Sequence, residues 1–129
     1  MRKLKKIVKS FLLSKPMISI FSSKKLFKIL FKNKIVVFLF HEISYNPSKF
    51  YYENNLNINP DLFKKQIEFI KNNFKVIHAK ELYERRPKTP TALITFDDGS
   101  IGLFKNALNI LEEKNCPSIF FLNFAPFKK

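Results

Sequence analysis

The chain has 129 residues, 46% of them hydrophobic, a length and composition that suit one folded domain with a buried core. Its formal net charge of +14 is concentrated in residues 1–34, where eleven basic side chains occur without any acidic one. Cys116 is the single cysteine, and no Cys/His cluster has the spacing of a structural zinc site, which excludes an internal disulfide and a zinc-stapled fold.

The basic segment 1–34 predicts two short amphipathic helices. Apolar residues recur at helical spacing from Leu4 to Leu12, Pro16 ends that pattern, and a second one follows a cap at Ser22 or Ser23. Such helices can lie on an anionic membrane surface. They can equally pack on the domain or on a partner and keep their lysines in water, and the sequence leaves both readings open.

A membrane span and an export signal are not expected. No stretch reaches the roughly eighteen uncharged apolar residues that a spanning helix needs. The N-terminus has the basic start of a signal peptide, but Lys9 and Lys15 interrupt its apolar part and no small-residue cleavage site follows.

From residue 35 onward, strand and helix patterns alternate. Residues 35–40 (IVVFLF) predict a strand buried on both faces. The polar, proline-bounded stretch 45–60 predicts a long loop that covers another part of the protein. A helix through about residue 72 follows, with Asn59 or Asp61 as its cap and Pro60 in its first turn. Then come a short strand at 75–77, one or two helical turns, a strand at 91–96, a helix capped by Ser100, and an apolar strand within 116–124.

This order predicts an α/β fold. Strands that alternate with helices, without hairpin turns between them, are typical of a parallel sheet or barrel with right-handed crossovers. We therefore divide the chain into a basic amphipathic N-terminal segment, residues 1–34, and an α/β domain, residues 35–129.

Two adjacent carboxylates, Asp97 and Asp98, follow the strand TALITF and precede Gly99. Active sites of parallel α/β proteins gather where strands end. Neighbouring carboxylates repel each other unless a cation lies near them, so one could bind a divalent metal while the other accepts a proton from water. The alternative is structural, since Asp-Asp-Gly is also common turn chemistry and aspartate favours a helix start.

The surrounding residues favour the first interpretation. The stretch ALITFDDGS, followed by an amphipathic helix and then PSIFFLNF, resembles the first motif of the polysaccharide deacetylases, and VVFLFHEIS resembles that family's first strand with its terminal histidine. The resemblance covers roughly residues 35–124. It implies a distorted (β/α) barrel that uses a divalent metal, usually zinc, to hydrolyse N- or O-acetyl groups on carbohydrate.

The same resemblance implies a role for three residues. Asp97 would be the general base that activates water, Asp98 a metal ligand, and His41 a residue that borders the pocket and contacts the substrate or supports the metal site. A purely structural His41 is the alternative. The family's other two metal ligands, a histidine pair some tens of residues farther on, have no counterpart up to Lys129. We therefore expect an incomplete barrel of the polysaccharide deacetylase type, with an apolar strand edge at 118–124, that is inactive alone and binds zinc poorly.

Two other functions are considered. A non-enzymatic protein could act at a membrane surface or on a partner through residues 1–34. Nucleic-acid binding is not expected, because the basic residues are almost all lysine and no known binding module surrounds them. The resemblance implies an acetylated carbohydrate as partner, and the cytoplasm or the inner-membrane surface is the expected location.

Overall fold

The computed structural model describes residues 24–84 and 86–123, so the predicted helix of residues 4–12 lies outside the described residues. Six strands form in this part of the chain: β1 (Ile35–Phe40), β2 (Glu42–Ile43), β3 (Asn57–Ile58), β4 (Lys75–Val76), β5 (Thr91–Phe96) and β6 (Ile119–Phe120). Five α-helices accompany them: α1 (Lys24–Leu30), α2 (Lys49–Glu53), α3 (Pro60–Asn73), α4 (Glu81–Glu84) and α5 (Leu108–Glu113). A π-helical segment, Leu103–Ala107, leads directly into α5.

Strand β5 is the centre of a four-stranded sheet in which every pairing is parallel. It pairs with β1 along its whole length, from Ile35 opposite Thr91 to Phe40 opposite Phe96. On its other edge, β4 pairs with its first two residues and β6 with its last two. The predicted α/β class with parallel strands is confirmed. Within the described residues this sheet is open, so a barrel is not confirmed.

The two long strands differ in burial. All six residues of β5 are buried, as a central parallel strand requires. The prediction that β1 is buried on both faces is wrong, because Val37 is 57% and Leu39 52% exposed, while Phe38 and Phe40 turn towards the core. A continuous apolar run does not reveal that β1 lies at an edge of the sheet, with its second face uncovered by the described residues.

The predicted loop at 45–60 contains regular structure. Lys49–Glu53 forms α2, in which Lys49 and Glu53 are one helical turn apart with their charged groups at 3.8 Å, and Asn57–Ile58 pairs with β2. The prolines and asparagines that predicted a loop end these short elements rather than preventing them. The buried strand predicted within 116–124 is shorter than expected, since only Ile119–Phe120 pairs with β5. Its predicted burial is wrong, because Phe121 is 55% and Leu122 47% exposed.

Helix α3 agrees with the sequence. Asn59 is its N-cap and accepts a hydrogen bond from the Leu62 N–H at 2.8 Å, and Pro60 occupies the first position, where a missing N–H costs nothing. Its buried side contributes Phe63, whose ring packs edge-on against Phe40 at 5.1 Å and against Phe96 at 5.8 Å. This aromatic cluster joins α3 to the ends of both long strands.

Helix α1 packs on the same core. Phe27 is buried and its ring lies 5.1 Å from that of Phe74, at the end of α3. Residues 24–30 therefore use one apolar side chain to pack on the α/β part, as one of the two sequence-based readings supposed. Among the described helices, none combines the length and apolar character of a membrane span. The division at residue 34 and the membrane-surface role of residues 1–34 stay predictions.

The aromatic cluster should dominate stability. Replacing Phe63, which is fully buried, with alanine should lower the free energy of unfolding by about 3–5 kcal/mol, because it removes apolar burial and leaves a cavity. Phe69→Ala is the matched control, since Phe69 lies on the same helix but is 51% exposed. Chemical denaturation followed by circular dichroism measures both, and equal losses would contradict the assigned core.

Candidate active site

The site lies where β1 and β5 end. Because Phe40 and Phe96 are register partners in a parallel pair, the next residues, His41 and Asp97, leave the same edge of the sheet side by side. The Asp97 N–H donates to the Phe40 carbonyl oxygen at 3.1 Å, which extends the strand pairing by one residue. His41 Nε2 is 4.0 Å from Asp97 Oδ2, with the two side chains 22% and 38% exposed. The structure thus brings together two of the three predicted site residues.

Asp98 lies in a tight backbone turn. It has a φ of +69° and Gly99 a φ of +65°, two successive left-handed residues, and the Gly99 N–H donates back to the Asp97 carbonyl oxygen at 2.9 Å. Aspartate tolerates this conformation better than most residues do, and glycine adopts it freely. The tight turn leaves Asp97 partly buried and Asp98 exposed, so the two adjacent carboxylates occupy different environments.

Ser100 ties the turn back to β1. Its hydroxyl donates to the His41 carbonyl oxygen at 2.9 Å, and the residue is buried. Ser100 directly precedes the following helix, as predicted, and its carbonyl oxygen accepts a hydrogen bond from the Leu103 N–H at 3.2 Å. Its side chain differs from an ordinary N-cap, because the hydroxyl bonds to His41 instead of to that helix. The side chain is used to fix the carboxyl ends of β1 and β5 to each other.

Glu42 is a third carboxylate that the sequence did not identify as part of the site. It follows His41, is only 4% exposed, and no described residue offers a hydrogen bond to its Oε2. Its carboxylate lies against Gly102, where an added Cβ would overlap both Glu42 Oε1 and the Ile43 carbonyl oxygen. The only signals in the sequence were a glutamate two residues after an apolar strand and a glycine in the first turn of a helix.

Tyr51 comes from the segment predicted as a loop. The pKa of its phenol is raised above the ordinary 10.0, mainly by burial, then by the negative charges of Asp98 and Glu42. Helix α2 therefore holds a phenol within the electrostatic field of both carboxylates. The expectation that this segment lies over something is met at the candidate site.

The described residues do not by themselves fit a catalytic zinc ion. Among them there is no group of three or more His, Cys, Asp or Glu side chains that could hold a metal. Catalytic zinc sites normally have three protein ligands. Asp97, Asp98 and His41 supply two carboxylates and one imidazole, and they do not form a three-ligand metal centre within the described residues.

The electrostatic link between Asp98 and Tyr51 can be tested directly. Asp98→Asn removes one negative charge that favours the neutral phenol, so the pKa of Tyr51 should fall towards its ordinary value. Asp61→Asn is a matched control, because Asp61 raises the pKa of Tyr45 by accepting its hydrogen bond. This substitution should lower the pKa of Tyr45 and leave that of Tyr51 unchanged. Tyrosine-specific NMR titration measures the pKa of both phenols. An unchanged pKa of Tyr51 in the Asp98→Asn variant would show that the Asp98 carboxylate is not close to this phenol.

A second prediction follows from the close approach of Glu42 and Ile43 to Gly102. Gly102→Ala should destabilise the protein by about 1–3 kcal/mol, since the new methyl group meets the Ile43 backbone, which cannot move aside without disturbing β2. Ile101→Ala, at a neighbouring helical position that is 65% exposed, should cost less than about 0.5 kcal/mol. Thermal or urea unfolding distinguishes them, and equal stability of the two variants would contradict the packing.

Comparison with known proteins gives a likeness at the level of structure. Neither a protein-family model nor a curated protein sequence matches the chain. It is similar to IcaB from Ammonifex degensii (19% identity, TM-score 0.59), covering 68% of this chain and 37% of that one. It is also similar to the Streptococcus pyogenes deacetylase PplD, solved with acetate (24%, TM-score 0.57, 67% and 41%), and to BC0361, a polysaccharide deacetylase from Bacillus cereus (22%, TM-score 0.51, 61% and 24%).

These structural similarities, all below 25% sequence identity, concern the fold alone. The chain spans about two fifths or less of the length of each of these three structures. The likeness covers 61–68% of this chain. The chain therefore has a polysaccharide deacetylase-like fold.

Proposed function

We propose that this chain supplies the base and one metal ligand of a metal-dependent deacetylase that hydrolyses N- or O-acetyl groups on a carbohydrate. The observation that carries the proposal is the placement of His41 and Asp97 side by side at the carboxyl edge of a deacetylase-like sheet, directly before Asp98. An acetylated carbohydrate as substrate is consistent with the similar solved structures, which include a deacetylase with bound acetate and a polysaccharide deacetylase.

Asp97 is the general base in this proposal. Its backbone is fixed by the hydrogen bond to Phe40, whereas its carboxylate remains open enough to reach a water molecule. It takes a proton as the oxygen of that water adds to the acetyl carbonyl carbon. The bond to the sugar nitrogen or oxygen then breaks, the proton passes to that leaving atom, and acetate and a free amine or hydroxyl are formed.

His41 borders the same pocket. Its Nε2 approaches Asp97 Oδ2 at 4.0 Å, so a protonated imidazole would attract the carboxylate and a neutral one could still orient it or contact the substrate. Its main chain is held through the Ser100 hydroxyl. A role in substrate contact or in support of the base follows from this position, with a structural histidine as the alternative.

Asp98 is the metal ligand in this proposal, and the metal is a divalent ion such as zinc. When bound, such an ion lowers the pKa of water and polarises a carbonyl group. Because the described residues lack a three-ligand group, its other ligands must come from residues outside them. The 129-residue chain alone is therefore proposed to bind zinc weakly and to be inactive. Its proposed location is the cytoplasm or the inner-membrane surface.

A paramagnetic metal can locate the ligand without an activity assay. Millimolar Mn²⁺ added to the ¹⁵N-labelled chain should broaden the amide signals of residues 97–100 and of His41 first. Asp98→Asn should remove most of that broadening, whereas Glu112→Gln, at an exposed carboxylate of α5, should leave it unchanged. Broadening centred elsewhere, or insensitive to Asp98→Asn, would count against Asp98 as a ligand.

An acetate assay tests the proposed inactivity. The purified chain with zinc should release no acetate from N-acetylglucosamine oligomers or O-acetylated xylan above the level of buffer, because the described residues contain no group of three metal-ligating side chains. Asp97→Asn and Glu112→Gln serve as the paired variants. Acetate release that Asp97→Asn abolishes and Glu112→Gln preserves would support deacetylation and contradict the inactivity of this chain.

A further inference from the structure

A basic cleft lies at the opposite edge of the sheet from Asp97. It has a volume of about 400 Å³ and is formed by the ends of α1 and α3 and by the residues that enter β4 and β5. Half of its ten lining residues are lysines, although only 24 of the 129 residues in the chain are lysine or arginine. We call it the lysine cleft, after Lys28, Lys32, Lys71, Lys75 and Lys88.

Two of these ammonium groups already have partners. Lys75 Nζ forms an ion pair with Glu81 at 2.9 Å, and Lys71 Nζ donates to the Lys114 carbonyl oxygen. Lys28, Lys32 and Lys88 make no ion pair with a described residue, and no acidic side chain lines the cleft. Three positive charges that share one concave surface repel each other and raise the local concentration of anions.

Helix termini alone do not explain this cluster. Lysine in the last turn of a helix is favoured by the helix dipole, which accounts for Lys28 in α1 and Lys71 in α3. Lys32 lies beyond the end of α1, and Lys88 lies in the connection before β5, so neither belongs to a last helical turn. Asn72 and Thr89 add neutral donors to the lining, and the buried residues Phe74 and Pro90 give the cleft a rigid base.

We propose that the lysine cleft binds the phosphate group of an anionic ligand. A phosphate carries up to two negative charges and three terminal oxygens, so it can engage several ammonium groups at once, whereas a carboxylate offers one charge. The phosphate could belong to a soluble phosphate ester or to a lipid headgroup, and both present the same chemistry. Because the cleft is at the amino edge of the strands, this site is separate from the proposed catalytic residues and does not depend on their function.

The test compares two double variants that remove the same charge. Lys32→Gln/Lys88→Gln alters the cleft, and Lys65→Gln/Lys105→Gln alters two exposed lysines that do not line it. Inorganic phosphate is titrated into the full chain at low ionic strength by NMR and calorimetry. In parallel, the full chain is sedimented with phosphatidylcholine vesicles with and without about 30% phosphatidic acid. The basic residues 1–23 are the same in both variants, so their attraction to anions cancels in the comparison.

We expect the cleft variant to weaken phosphate or vesicle binding by about tenfold and the control variant by less than about twofold. Cleft-dependent binding of inorganic phosphate identifies a soluble ligand, and cleft-dependent binding of acidic vesicles alone identifies a headgroup. Equal loss in the two variants would show general charge attraction and overturn the proposal, as would absence of binding in both assays. Neither result would affect the Mn²⁺ experiment on Asp98.

Discussion

The parallel pairing of β1 with β5 is the constraint on which the rest of this structure depends. Six consecutive register partners align the two strands so that both end at the same level, and the bond from Asp97 N–H to Phe40 extends that alignment into the site. His41 and Asp97 therefore come together without being neighbours in sequence. The aromatic rings beneath them, from Phe40, Phe63 and Phe96, keep the strand ends from shifting, because a core at crystalline packing density resists displacement.

The sequence predicted the elements whose apolar pattern is long enough to be unambiguous. Strand β5 and helix α3 were predicted correctly, since a buried six-residue run and a capped amphipathic helix have few alternatives. Strand β1 carries the same kind of run as β5 but is half exposed. The difference lies in its neighbours, which local pattern does not contain.

The candidate site was predicted in part for a similar reason. Asp97, Asp98 and His41 each follow a strand, a position that sequence can identify. Glu42 and Tyr51 could not be assigned this way, because what matters for them is a long-range contact: Glu42 with Gly102, sixty residues later, and Tyr51 with the charges of Glu42 and Asp98. The five-residue helix that carries Tyr51 was not predicted, because the asparagine- and proline-rich residues on either side of it are typical of a loop.

The two ends of the sheet carry opposite charges. At the carboxyl edge lie Asp97, Asp98 and the buried Glu42, and at the amino edge lies the lysine cleft. A six-residue strand separates these edges by roughly 20 Å, about two and a half times the distance over which salt screens exposed charges at physiological ionic strength. Anions gathered at the lysine cleft would therefore neither neutralise the carboxylates nor be repelled by them. If the phosphate belongs to a lipid headgroup, the proposed base Asp97 would lie at the end of the sheet opposite to the bound headgroup.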